Sequence, residues 1–249
     1  GISVDLPELT AAFSEAPIEI RSGLATGSIR VIGPVDDPDL FGTLRVRDLT
    51  LDTEFSPDTV GPTDVALILE DKQIRIPQFT TTVGAAAIEA DGTVLLNRWA
   101  LSEYRLNLEI PGPDGVHVVS TFGPIDVDGY GHGTVTLTGR PRDIAVEGAL
   151  VISGAEIGVI AVTDEPERPD EINVNVDLAL ETGRSVRFIW PAADFPIIRS
   201  NFSVGQEVAL TIDSVADTFS LTGDLEIQSG DVFYFDRNFL IRDGNIAFR

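Results

Sequence analysis

Cysteine and methionine are absent from the 249-residue chain, and histidine occurs only twice. Without cysteine the chain can form neither a disulfide nor a thiolate metal site. Lysine occurs once, at Lys72, and 17 basic residues stand against 40 acidic ones, for a net charge of −23. Such a charge repels nucleic acids and anionic membrane surfaces, so we expect neither to bind the exposed surface.

Long apolar runs and helix signals are also scarce. No run of 18 apolar residues exists, so no membrane-spanning helix is predicted. The best helix signal is "DLPELTAAFSEA", residues 5–16, where Asp5 can cap and Glu8 completes a capping box. The chain has neither a signal peptide nor an initiator methionine, and we interpret it as an excised part of a longer protein.

Motifs for catalysis and metal binding are missing as well. There is no G-x-S-x-G elbow, P-loop or H-E-x-x-H sequence. The segment "DVDGYGHG" is similar to a calcium loop through Asp126 and Asp128, but Tyr130 stands where an oxygen ligand is needed. We therefore predict no catalytic residue, no metal site, no cofactor and no enzymatic activity. An enzyme on a β-scaffold stays the least favoured alternative.

Alternating hydrophobicity dominates the sequence. In "EINVNVDLALE", residues 171–181, every second residue is apolar, which is the pattern of a strand with one buried face. At least a dozen such segments are bounded by Gly, Pro and Asp turns, so we predict an all-β fold. The predicted organisation is an N-terminal segment with a short helix (1–20), a first β block (21–162), an acidic proline-containing loop (163–171) and a second, continuous β block (172–249).

An internal repeat links two parts of the chain. The glycines at 27, 33 and 42 are spaced like those at 133, 139 and 148, and five apolar positions match in register. We predict that residues 27–48 and 133–154 form equivalent strand pairs, each with its middle glycine, Gly33 or Gly139, at a bend.

The closing stretch, "GDVFYFDRNFLIRDGNIAFR", is apolar on both faces. Asp243-Gly244 is a two-residue hairpin signal that pairs Ile241 with Ile246 and Phe239 with Phe248. Alternation then places Val232, Tyr234, Phe239, Ile241, Ile246 and Phe248 on one face. Phe233, Phe235, Leu240 and Ala247 point the other way. Because a surface hairpin has one polar face, something must cover each side of this segment.

The apolar faces are either a core or the lining of a groove, and alternation alone leaves both open. The predicted groove-lining residues are Ile172, Val174, Val176, Leu178, Leu180, Val186, Phe188, Val208, Leu210, Ile212, Val232, Tyr234, Phe239, Ile241, Ile246 and Phe248.

Several longer segments carry a family resemblance. "GSIRVIGPVDDPDLFGTLRVRDLTL" and its repeat "GTVTLTGRPRDIAVEGALVISGAEI" resemble the TamB family, the translocation and assembly module proteins of the AsmA-like superfamily. "VGAAAIEADGTVLLNRWALSEYRLNLEI" and "GRSVRFIWPAADFPIIRSNFSVGQEVALTI" do so too, and the order of the segments is similar to a late, C-terminal-side stretch of that family.

The resemblance implies an elongated antiparallel or mixed β-sheet, curled into an open, taco-like trough with an apolar interior. It implies a full-length protein anchored in the inner membrane that spans the periplasm of a double-membraned bacterium and works with an Omp85-type outer-membrane barrel. It also implies that phospholipid acyl chains occupy the trough and that the protein supports outer-membrane protein assembly and secretion. A closed β-sandwich or barrel acting as an adhesin or carbohydrate-binding module is the alternative that the alternation equally allows.

Overall fold

The computed structural model describes residues 2–6, 18–53, 56–122, 125–159, 173–191, 196–216 and 218–248. The strands in these ranges are β1 (Ile2–Asp5), β2 (Ile18–Ile32), β3 (Asp39–Thr53), β4 (Ser56–Asp71), β5 (Gln73–Val83), β6 (Ala86–Asn97), β7 (Ala100–Ile110), β8 (Val116–Phe122), β9 (Ile125–Arg140), β10 (Asp143–Val159), β11 (Asn173–Thr182), β12 (Arg187–Trp190), β13 (Ile198–Phe202), β14 (Glu207–Asp213), β15 (Thr218–Tyr234), β16 (Arg237–Ile241) and β17 (Gly244–Phe248).

All these strands belong to one sheet, and the predicted all-β fold is confirmed. Asp5 ends β1, and the rest of the predicted helix at 5–16 lies, apart from Leu6, outside the described residues, as does the predicted loop at 163–171. Whether the chain divides into the predicted blocks stays a prediction.

Strand pairing is sequential from β1 through β7 and then continues with β9, β10, β11, β14 and β15. Shorter strands share a neighbour: β8 pairs with β9 beside β7, and β12 and β13 continue the columns of β11 and β14. Among the described strands, β10 with β11 and β10 with β12 are the parallel pairs. The sheet is therefore mixed, as expected.

The two repeats fold into strand pairs with the same register. Gly27 faces Leu44 in the β2–β3 pair, and Gly133 faces Leu150 at the corresponding place in the β9–β10 pair. Gly33 lies at the turn with φ of 96°, as predicted. The prediction was wrong for Gly139, which stays in β9 and pairs with Ile144. The first turn carries two prolines, which cannot donate to the ladder, whereas the second hairpin pairs further.

The predicted hairpin at Asp243-Gly244 is not formed. β16 and β17 do not pair with each other; they lie end to end and pair with successive parts of β15, which is long enough for both. Ile241 faces Gly230 and Ile246 faces Leu225, instead of facing each other. The predicted face is nevertheless kept, because an extra residue in β15 between Ile227 and Ser229 restores the alternation.

Buried apolar side chains form three clusters on one face of the sheet. The first joins β2 to β5, the second β4 to β8, and the third β10 to β17. In the second cluster Val60 of β4 and Val116 of β8 pack against the same buried residues, and β4 lies close to β8 although β5 and β6 lie between their columns. The sheet is therefore curled, with its apolar face inward.

The backbones of β9 and β10 come close together at residue 133, which explains why this residue is glycine. Its φ is 137°, and a Cβ added there would collide with the carbonyl oxygen of Ala149. We expect Gly133→Ala to lower the free energy of unfolding by about 1–3 kcal/mol. Gly112→Ala is the matched control, since the nearest atom to an added Cβ is 4.0 Å away, and it should stay within about 0.5 kcal/mol. Equal midpoints of urea unfolding for the two variants would contradict the close approach of β9 and β10 at Gly133.

Candidate functional site

Three rows of cross-strand neighbours run across the middle of the sheet on its inner face. The first row is Leu106, Leu137, Val146, Val176, Ile212 and Phe219. The second is Leu108, Val135, Gly148, Leu178, Leu210 and Leu221. The third is Ile110, Gly133, Leu150, Leu180, Val208, Gly223 and Phe248. Each position in these apolar rows is a hydrophobic residue or glycine, so they form one continuous hydrocarbon surface.

The opposite face is polar at the same strands. Between the apolar rows, the outward-facing neighbours include Asn107, Thr136, Glu147, Asp177, Thr211 and Ser220. Because side chains alternate along every strand, a register error by one residue would mix the two faces. The observed registers keep them separate over six neighbouring columns.

The inner face is only partly covered. Of the predicted lining residues that are described, only Val176, Val186 and Leu210 are buried, while Tyr234 and Phe239 are exposed. The others are half-buried: Val174, Leu178, Leu180, Phe188, Val208, Ile212, Val232, Ile241, Ile246 and Phe248. Ile172 lies outside the described residues. A closed sandwich core would bury most of these side chains, whereas most of them stay partly exposed here.

The C-terminal part of the inner face has the tightest packing. Val186 is 1% exposed and packs with Ala155 and Phe202. The rings of Phe188 and Phe202 have centroids 6.2 Å apart. Predicted lining residues from four strands also reach this cluster, namely Phe188, Val208, Ile241, Ile246 and Phe248.

Sequence reasoning missed many inner-face residues. It did not name Phe202, Leu225 or Ile227 as lining residues, although the last two lie in an alternating segment. It also omitted the contributions of β7, β9 and β10 to the apolar rows, such as Leu106, Leu137 and Leu150. The signal was present in the repeat, since Leu137 and Leu150 are among its matched apolar positions.

Charge is concentrated at the turns and on the polar face. Lys72 Nζ lies 2.7 Å from each carboxylate oxygen of Asp37. This contact lowers the pKa of Asp37 and raises the pKa of Lys72. A hydrogen bond with Asp71 raises the pKa of Asp39. These pairs join the β2–β3 turn to the β4–β5 turn at one rim, away from the apolar rows.

The described part of the chain has no group of three acidic or histidine side chains that could hold a metal ion. None of its elements is a helix of the length and apolarity needed to cross a membrane.

The described residues thus form an all-β protein built on one large sheet, with one continuous apolar face and one polar face. The sequence profile described as the TamB C-terminal domain matches residues 78–249, which include all three apolar rows and the whole third cluster. The chain belongs to the TamB family, whose members are bacterial envelope proteins of outer-membrane assembly. No solved structure matches it.

Proposed function

We propose that the inner face is a groove that carries phospholipid acyl chains between the inner and outer membranes, and that this transport supports outer-membrane protein assembly and secretion. The observation that carries the proposal is the set of three apolar rows, which stay partly exposed over successive strands. The rows are neither buried like a core nor broken into isolated residues. A continuous, partly exposed apolar surface of this kind favours binding of an apolar ligand.

The energy of acyl-chain binding is sufficient. Each CH₂ group removed from water contributes about 0.8 kcal/mol, so a sixteen-carbon tail gains on the order of 10 kcal/mol when it is covered. The rows offer no buried polar partner for a sugar or peptide, which binding modules for such ligands require. The lipid's headgroup stays in water at the open side.

The chain's charge supports the same role. With a net charge of −23 and a polar outer face, the sheet repels other copies of itself and anionic surfaces. Membership of the TamB family supports two further parts of the proposal. These are that the full-length protein is anchored in the inner membrane and that it works with an Omp85-type outer-membrane barrel.

A photo-crosslinking residue at Leu180 tests the groove. Leu180 is half-buried in the third apolar row, whereas its neighbour Ala179 is exposed on the polar face of the same strand. After irradiation in cells, the probe at position 180 should give phospholipid adducts detected by mass spectrometry, and the probe at position 179 should give at most a trace.

Equal adduct yields at the two positions would show that contact with lipid is not confined to the groove. Adducts at neither position, with the chain folded, would reject lipid carriage and leave the adhesin or carbohydrate-binding alternative to be tested.

A further inference from the structure

Exposed aromatic and aliphatic side chains gather at one corner of the sheet, where β15 turns into β16. This aromatic tip consists of Trp190, Phe233, Tyr234, Phe235, Phe239 and Leu240. Phe235 is 91% exposed, Leu240 74% and Tyr234 61%. The end of β12 and the start of β13 belong to the same corner, since Phe233 N–H donates to Ile197 O and Ile197 N–H donates to Trp190 O, both at 2.8 Å.

The side chains of the aromatic tip point in three directions. Phe239 pairs with Val232 and lies two residues before Ile241 in β16, and Tyr234 lies two residues after Val232 in β15. Alternation therefore places Tyr234 and Phe239 on the apolar face. Phe233 and Leu240 lie on the opposite face, and Phe235 occupies the turn itself. A single protein surface placed against the corner would cover one of these directions. A fluid apolar medium that surrounds the corner covers all of them.

The backbone at the turn is unusual for a phenylalanine. Phe235 has φ of 55°, in the left-handed region where glycine and asparagine are favoured and bulky residues are rare. The residue therefore carries both a conformational cost and the cost of exposing its ring to water. Strain of this kind is concentrated at functional sites, and a benefit from the exposed ring explains its presence.

Local charge is the second independent feature. Residues 232–248 contain two arginines and two aspartates and are neutral, although the whole chain carries −23. Arg199 lies over the ring of Phe233, with 5.8 Å between its Cζ and the ring centroid. Arg237 pairs with Tyr234 at the start of β16. Aromatic rings with arginines beside them and no net charge are typical of segments that lie in the membrane interface.

We propose that the aromatic tip inserts into the interfacial region of a lipid bilayer and holds one corner of the groove at a membrane surface. Phe235 and Leu240 enter the acyl boundary, and the neighbouring arginines contact phosphate groups. This inference goes beyond acyl-chain carriage and does not depend on it.

Vesicle binding tests the proposal with Trp190 as reporter. Trp99→Phe leaves Trp190 as the sole tryptophan. With phosphatidylcholine vesicles, its emission should shift to shorter wavelength and be quenched by brominated acyl chains. Phosphatidylglycerol vesicles at low salt should bind less, because the acidic body of the protein is repelled.

The variant Phe235→Asn/Leu240→Asn should lower the vesicle partition coefficient by about tenfold or more. Asparagine tolerates the backbone conformation at 235, so the fold is kept. Val215→Asn is the matched control, since Val215 is 68% exposed at a turn on the opposite rim, and its partition coefficient should not change.

Three results would overturn the proposal: no shift of Trp190 emission, equal losses in both variants, or self-association that the tip variant abolishes without any vesicle binding. The tip variant should still give lipid adducts from a probe at Leu180. If adducts persist while vesicle binding is absent, only the tip proposal fails; the reverse result rejects only acyl-chain carriage.

Discussion

Val186→Asp is expected to unfold the part of the sheet from β10 to β17. The side chain at 186 is 1% exposed, and it packs with Ala155 and Phe202 in the third cluster. Aspartate there would bury a carboxylate among apolar side chains, which costs several kcal/mol. Denaturant unfolding followed by circular dichroism should show a large loss of stability or no cooperative transition.

Val204→Asp is the control for this experiment. Val204 is 61% exposed in the connection between β13 and β14, so a carboxylate there stays hydrated and the unfolding midpoint should be close to that of the wild type. If Val186→Asp proved as stable as the control, the packing of the third cluster would be wrong.

Leu178→Asp/Leu180→Asp is expected to abolish lipid capture and leave the protein folded. Both leucines are half-buried and lie in neighbouring apolar rows, so their replacements keep contact with water at the open side of the groove. An acyl chain crossing β11 would have to remove both carboxylates from water, at a cost of several kcal/mol. Co-purified phospholipid, measured by native mass spectrometry, should fall about a hundredfold or more.

The matched control is Ala179→Asp/Ala209→Asp. These two alanines face each other across β11 and β14 on the polar side and are exposed. The control carries the same added charge and should retain its lipid. Val176 is less suitable for this experiment because it is 8% exposed, and a charge there would test packing more than lipid binding. Unfolding of the leucine variant would instead indicate that these rows form a closed core.

Local patterns predicted the strands well. The alternation in residues 171–181 predicted β11 and its two faces, since one strand's periodicity is set by its own residues. The repeat predicted β2–β3 and β9–β10 as equivalent strand pairs, and the structure gives the two pairs the same register. Both are hairpins between consecutive strands, where a short connection limits the possible partners.

Pairing between distant strands could not be predicted from the same patterns. Asp243-Gly244 has the composition of a hairpin turn, but β15 offers a continuous edge of 17 residues to which both β16 and β17 bind. The parallel pairing of β10 with β11 could not be predicted from the sequence either. Each strand satisfies the alternation rule with many partners, and the choice among them depends on the whole sheet.

For the predicted lining residues, the sequence indicated the face of the strand but not the degree of burial. Apolar alternation placed Leu178 and Leu210 on one face, where they are cross-strand partners, but it could not tell which would be buried, and their role in lining a groove stays a prediction. Phe235 was assigned to a strand face, whereas the structure places it in a turn in the left-handed region. Its chemistry argues against that conformation, so no propensity rule indicates it.

The apolar rows run across the strands, and this direction determines how a hydrocarbon would move along them. Neighbouring strands lie about 4.8 Å apart, so each step along a row replaces one set of methyl and methylene contacts by a similar set. No step is a deep well, and resistance to movement adds in series from strand to strand. The strand with the least apolar side chain in the row then limits how fast a hydrocarbon can move along it. The rate of this movement should therefore depend little on which apolar residue occupies a row position, whether leucine, valine, isoleucine, phenylalanine or glycine. One charged residue at any row position, in contrast, would slow movement along the whole row.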